Sequence, residues 1–129
     1  MRRLLTSIGF VAVMLSACGG DEAGTPSSLS PAADEGRRIA QNNGCAACHG
    51  SGGGGGVGPP FVGAFGREVE LEDGTTTLAD EEYLRRSIRE PDAQIVAGYR
   101  VPMPKVDLSD EEIDSIIAYI QELSVEADS

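Results

Sequence analysis

Tryptophan is absent from this 129-residue sequence, and the other large rings number only three Phe and three Tyr. A small domain already buries a low fraction of its surface, so a chain this poor in aromatics has little volume for a core of its own. Basic side chains are scarce too: ten Lys and Arg stand against 21 Asp and Glu, a formal charge of −11. That balance excludes a nucleic-acid binder, which needs a basic patch to neutralise phosphates. It equally excludes a protein held to an anionic membrane surface by a polybasic segment. Long apolar runs are missing as well, since the uncharged stretch from Leu4 to Leu15 falls short of the about 20 residues a helix needs to cross a bilayer. No alternating run is long enough for a large sheet, and no internal repeat is present. What is plentiful is Gly, with 17 residues, joined by seven Pro, so loops are extensive. These numbers describe a small acidic domain that needs something to pack around.

The N-terminus reads as an address. Arg2 and Arg3 form a positive n-region ahead of the uncharged stretch, which fits a signal-peptide h-region. Leu15-Ser16-Ala17-Cys18 follows and resembles the bacterial lipobox, in which a thiol carries a diacylglycerol and small neighbours admit the peptidase. The plainer alternative is an ordinary secretory signal with an incidental Cys18. The expected organisation is a lipoprotein signal peptide over residues 1–17, a lipidated Cys18 and flexible tether over 18–30, and one domain over 31–125. A Gly-, Ser- and Pro-rich tether of this length spans about 20 Å r.m.s.. Such a lipid holds a protein on a membrane without crossing it. The expected location is therefore the exported side, on the outer face of the cytoplasmic membrane or on the outer membrane, facing the periplasm or the cell exterior. Gly19 stands where an aspartate often retains lipoproteins in the inner membrane, which favours the outer one. Loss of Arg2 and Arg3 with the signal leaves the remainder more acidic still.

Three helices can be placed. The first runs from Pro31 to about Gln41, with Ser30 as N-cap, Pro31 at the first helical position, and Asp34 and Glu35 near the positive end. A middle helix starts at Asp80-Glu81-Glu82 and ends near Glu90, because Pro91 disfavours helix in its predecessor. Tyr83, Leu84, Ser87 and Ile88 give it a semi-apolar face. The last opens with a capping box of Ser109 and Glu112 and carries a stripe of Ile113, Ile116, Ile117, Ile120 and Leu123. Val69 to Leu71 and Thr75 to Leu78 flank Asp73-Gly74 and read as a small hairpin. The Gly-rich segment from Ser51 to Gly58 reads as a flexible loop.

The chemistry sits at Cys45-Ala46-Ala47-Cys48-His49, a C-x-x-C-H run placed just after a short helix. It reads as an attachment site for one haem c, with Cys45 and Cys48 each adding to a vinyl group and His49 held as the proximal iron ligand. A thioredoxin-like redox pair needs a strand–helix–strand setting that is missing here. A structural zinc site needs four N or S ligands, whereas Cys45, Cys48 and His49 are the only candidates once Cys18 is lipidated. A disulfide between Cys45 and Cys48 would leave His49 unexplained and strain the short loop.

The second axial position falls to Met103, the one Met outside the signal, on a loop where Pro102 and Pro104 fix the backbone. Lys105 is the substitute ligand at high pH, and a Met that merely fills the core is the alternative. Met/His ligation raises the reduction potential and fills both axial positions, which describes an electron carrier.

From Pro31 to Leu123 the sequence resembles a class I cytochrome c. The run LEDGTTTLADEEYLRRSIREPDAQIVAGYRVPMP further resembles the cytochrome c domain appended to subunit II of caa-type haem–copper oxidases, and related small bacterial cytochromes. The resemblance implies an all-α cytochrome c fold, three to four helices wrapped around one covalently bound haem with long loops. It implies that Gly36, beside Ile39 and Ala40, admits close contact with an aromatic of the last helix, here Tyr119. GPPFVGAFGR, Gly58 to Arg67, matches the loop after the haem motif, where the carbonyl of the first proline, Pro59, accepts a hydrogen bond from the proximal His. Arg67 matches an arginine that neutralises a haem propionate, and Gly98 and Tyr99 match the turn that leads to the ligand Met. For Pro59 and Gly98 simple loop shaping stays open, as does a surface charge for Arg67.

The copper-binding domain and membrane helices of an oxidase subunit II have no counterpart in these residues, so a separate small cytochrome is expected. The lysine ring by which mitochondrial-type members dock is also missing, Lys105 being the one lysine. Arg85, Arg86 and Arg89 offer either a local positive patch or a solvated charged face. The expected function is transfer of single electrons between membrane-bound redox complexes, such as a terminal oxidase or a quinol-oxidising complex, by a carrier that is not an enzyme and has no small-molecule substrate. The alternatives are a dedicated electron-transfer subunit of an oxidase or dehydrogenase, and a haem enzyme or gas-binding protein with an open axial site.

Overall fold

The computed structural model describes residues 28–127, so the expected signal peptide and Cys18 lie outside the described residues. Within them the chain runs α1 (Pro31–Asn42), α2 (Cys45–His49), β1 (Glu68–Glu70), β2 (Thr76–Leu78), α3 (Glu81–Arg89) and α4 (Asp110–Ala127). The fold is mainly helical, as expected, with one two-stranded sheet.

Local side-chain chemistry starts each long helix. The Ser30 hydroxyl accepts the Ala33 N–H at 3.2 Å, and Pro31 occupies the first turn of α1. Asp80 caps α3 by accepting the Tyr83 N–H at 2.9 Å. Ser109 and Glu112 cap α4 reciprocally: the Ser109 N–H donates to the Glu112 carboxylate at 2.8 Å, and the Glu112 N–H to the Ser109 hydroxyl at 3.2 Å. Each device satisfies amides that a helix start otherwise leaves unpaired.

The core lies between α1 and α4. Ile113, Ile116, Ile117 and Ile120 of α4 are buried against Ile39 of α1, with Tyr83 and Leu84 of α3 in the same cluster. Burial of each such side chain is worth about 1.5–3 kcal/mol. Gly36 sits at the crossing. A Cβ built there would fall inside van der Waals contact with the Ser115 carbonyl and 2.8 Å from the Ile116 nitrogen. The atoms nearest that Cβ are helix backbone, one turn before Tyr119. Tyr119 meets Phe61 edge-on, with ring centroids 6.4 Å apart. At the other end of the pair the Ser30 N–H donates to Glu122 at 2.9 Å, which ties the start of α1 to the last turns of α4.

The hairpin pairs Glu68 with Leu78, Val69 with Thr77 and Glu70 with Thr76, one residue earlier in its first strand than expected. Leu71 is left free for a separate bridge to Val96. That bridge, with Glu72 N–H donating to the Ile95 carbonyl and Ala97 N–H to Glu70, fastens the segment after α3 to the hairpin.

A single buried hydroxyl couples α4 to the loop before the hairpin. Ser124 donates to the Ile120 carbonyl and accepts the Phe65 N–H, both at 2.9 Å. Ser124→Ala strands that amide, and the expected loss is about 1–2 kcal/mol of stability. Urea unfolding checks it, and a midpoint equal to wild type would show that Phe65 finds another acceptor.

Candidate functional site

Cys45, Cys48 and His49 all lie on the five-residue helix α2. Positions three apart share a helix face, so the two thiols project to one side, and both are free and half-buried. Burial pushes the Cys45 thiol above its ordinary value, and the charge of Cys48 adds to the shift. A thioredoxin-like pair works the other way, with a nucleophilic thiol lowered towards neutrality. Among the described residues no strand precedes α2 either, so the strand–helix–strand setting of such a pair is missing. Zinc fares no better, since no three His, Cys, Asp or Glu side chains gather as a metal site among the described residues.

His49 is buried, with 8% of its surface exposed. Its Nδ1 lies 2.6 Å from the Pro59 carbonyl oxygen. A carbonyl can only accept, so Nδ1 carries the proton, and in the neutral ring Nε2 keeps its lone pair. That tautomer is the one a metal needs, and a partner of this kind fixes ring orientation as well. Phe61 stacks on the ring at a centroid distance of 4.4 Å and an angle of 18°. Sequence reasoning missed this contact, although Phe61 stands within the run GPPFVGAFGR.

The Gly-rich segment is a built turn rather than the flexible loop expected. Gly55 N–H donates to the His49 carbonyl at 2.8 Å and Gly58 N–H to the Cys48 carbonyl at 3.0 Å, so the orphan acceptors at the end of α2 are satisfied. Gly53 takes both the Phe61 and Val62 amides. At Gly58 a Cβ would stand 3.1–3.3 Å from three atoms of the His49 ring. Glycine there lets the backbone lie flat against the imidazole and close one side of its slot.

The remaining expected residues lie elsewhere. Met103 is half-buried on the stretch between α3 and α4, where with Arg89, Pro91, Asp92 and Lys105 it lines a shallow cavity of about 410 Å³. Arg67 is exposed just ahead of β1, and its backbone carbonyl accepts the Ala79 N–H at 2.8 Å. No hydrogen bond or ring contact joins either of them to His49. The three arginines of α3 do not form a free positive patch. Arg85 pairs with Glu81, Asp110 and Asp114, Arg86 with Glu90, and Arg89 with Asp110. Nor is any helix among the described residues long and apolar enough to cross a membrane.

Two free thiols on one face, next to a buried imidazole with its Nε2 lone pair unspent, are the donor set that a covalently bound haem requires. The comparisons agree with it. The family model for cytochrome c matches residues 33–124. The chain is also 33% identical over 97 residues to a protein named cytochrome c oxidase subunit 2, from Alkalihalophilus pseudofirmus. The match takes in 72% of this chain but only 26% of that relative, so the chain spans about a quarter of its length. A cytochrome c domain carries covalently bound haem c, and Cys45, Cys48 and His49 fit its binding motif. On the residues matched and on the helix that presents them, the chain belongs to the cytochrome c family.

Proposed function

We propose that this protein is a monohaem electron carrier whose iron is held by His49 and Met103, and that it works from a lipid anchor at Cys18 between membrane-bound redox complexes. The hydrogen bond from His49 Nδ1 to the Pro59 carbonyl carries the reading. It holds the ring in one tautomer and engages Nδ1, not Nε2. Bound haem supplies a single ferrous–ferric couple, tuned by its axial ligands and burial.

The protein's own residues do the rest. Cys45 and Cys48 hold the group covalently, so it cannot be lost during turnover. Pro59, Phe61 and Gly58 keep the imidazole still, which limits rearrangement when the charge changes. Met103 is the one thioether among the described residues, and its flanking prolines restrict the backbone that presents it. His49 on α2 and Met103 on the stretch between α3 and α4 would hold the iron from two separate segments of the chain. Arg67 is exposed and joins no ion pair among the described residues, which leaves its charge available to a propionate. No side chain is called upon as nucleophile or base, in keeping with a carrier rather than an enzyme.

The test is direct. Protein exported with the haem-attachment machinery should stain for haem on a denaturing gel and show a thioether–iron charge-transfer band in its ferric form. Cys45→Ser combined with Cys48→Ser should abolish the stained band. Ready carbon monoxide binding by the native ferrous protein would instead mean an open axial site and sink the carrier reading. The likeness to an oxidase subunit favours one second reading, a fixed electron-transfer subunit. Co-purification of an oxidase or dehydrogenase with the anchored protein would establish it, and isolation of the cytochrome alone would favour the shuttle.

A further inference from the structure

Between Glu90 and Ser109 the chain forms a strap that carries Met103, and its fastenings are unevenly spread. Its first half is pinned to the hairpin by the Leu71–Val96 bridge and the Ile95 and Glu70 carbonyls, and by the turn in which Tyr99 N–H donates to Val96. From Arg100 to Leu108 no backbone hydrogen bond to the rest of the chain is made among the described residues. Its proline neighbours stiffen this half but do not attach it. Val106 and Leu108 seat its far end on the core, and its two ends approach each other. Arg89, the last residue of α3, pairs with Asp110, the first of α4. One turn further along each helix, Arg85 pairs with Asp114, with Glu81 at 3.2 Å on its own helix and Asp110 at 4.0 Å.

We propose that these ion pairs act as a clamp that positions Met103: Arg89 and Arg85 on α3, gripping Asp110 and Asp114 on α4, hold the ends of the strap together and so set how firmly the thioether stays in place. The inference rests on the reading of Met103 as the distal ligand. Single exposed pairs contribute little, but here two arginines share two carboxylates at the mouth of a loop whose second half makes no backbone hydrogen bond among the described residues and rests on the core only through Val106 and Leu108. Opening the pairs loosens the strap between Arg100 and Lys105 while Leu108 and the isoleucine core of α4 stay in place, because Asp110 and Asp114 lie on the exposed side of the helix. The hold of the sixth ligand is therefore sensitive to ionic strength, since salt screens such pairs.

Imidazole competes with a thioether for ferric iron, so its titration against the charge-transfer band of the holoprotein reads the clamp. Asp110→Asn and Arg89→Gln are each expected to tighten imidazole binding about three-fold, a change typical of losing one surface pair. The double variant is expected to go no further than either single one. Glu111→Gln removes an acid from the same first turn of α4, one that joins no ion pair, and is expected to leave the titration unchanged. Wild type in about 1 M NaCl, where the screening length falls to about 3 Å, is expected to approach the Asp110→Asn value. Equal effects of Asp110→Asn and Glu111→Gln would reduce the result to a helix-end charge and overturn the clamp, as would additive single variants or salt-independent wild type. A missing band in wild type, or one that survives in Met103→Ala, overturns the ligand reading itself and removes the premise. The two failures are thereby told apart.

Discussion

Alanine at position 36 is expected to remove a large share of the domain's stability and to lower its melting temperature well below that of wild type. Its Cβ would overlap the carbonyl of Ser115 and press on the amide of Ile116, both rigid parts of α4. Neither atom belongs to a side chain that can swing away, so the helices must separate and take Ile39, Ile116 and Ile120 out of contact. Overpacking a core ordinarily costs about 1–3 kcal/mol, and contact with backbone places this case at or above that range. Domains of this size have only about 5–15 kcal/mol in total. Circular dichroism melts of the haem-loaded protein would read the loss. Gly52→Ala is the control, since a Cβ there has nothing within 4 Å, and it should melt like wild type. A Gly36→Ala protein that melts within a few degrees of wild type would mean that α1 and α4 can slide apart cheaply, contrary to the packing described.

Removal of the thioether should have the largest effect on redox behaviour. In Met103→Ala the ferric charge-transfer band is expected to vanish, the iron to take up water or a nearby base, and the potential to fall. The fall should be a sizeable part of the about 0.8 V that axial ligands span. The fold should survive, because Met103 is only half-buried and lies outside the isoleucine cluster. Spectroelectrochemical titration of wild type and variant gives both quantities. An unchanged potential and spectrum would assign the sixth position to another group and return Met103 to the role of packing. The loss should also open the iron to carbon monoxide, which offers an independent reading of the same vacancy in the variant.

The parts of this molecule that could be read in its sequence are those set by neighbours along the chain. Ser30, Asp80 and the Ser109–Glu112 pair each act within one helical turn, and each caps the helix expected of it. The isoleucine stripe of α4 follows from helical period alone. The C-x-x-C-H run was equally legible, because covalent haem attachment needs those residues at that spacing. Features that depend on distant partners were not. A run of glycines has no side-chain pattern to read, and the order of residues 51–58 comes from carbonyls of Cys48 and His49 that the loop folds back to meet. The hairpin starts one residue early because Leu71 is drawn to Val96, 25 positions downstream. Gly36 stands out in the sequence, but the backbone of Ser115 that presses on it can be found only in the fold. The arginines of α3 lost their significance as a patch only once Asp110 and Asp114 were seen beside them.

The bond between Ser30 and Glu122 has a consequence for how the domain hangs. It brings the start of α1 and the last turns of α4 to one pole of the domain. A tether joined ahead of α1 and one joined behind α4 would therefore pull on the same pole. The same domain can thus be hung from a leading strand or trailed from a larger body, with no change to the fittings around His49.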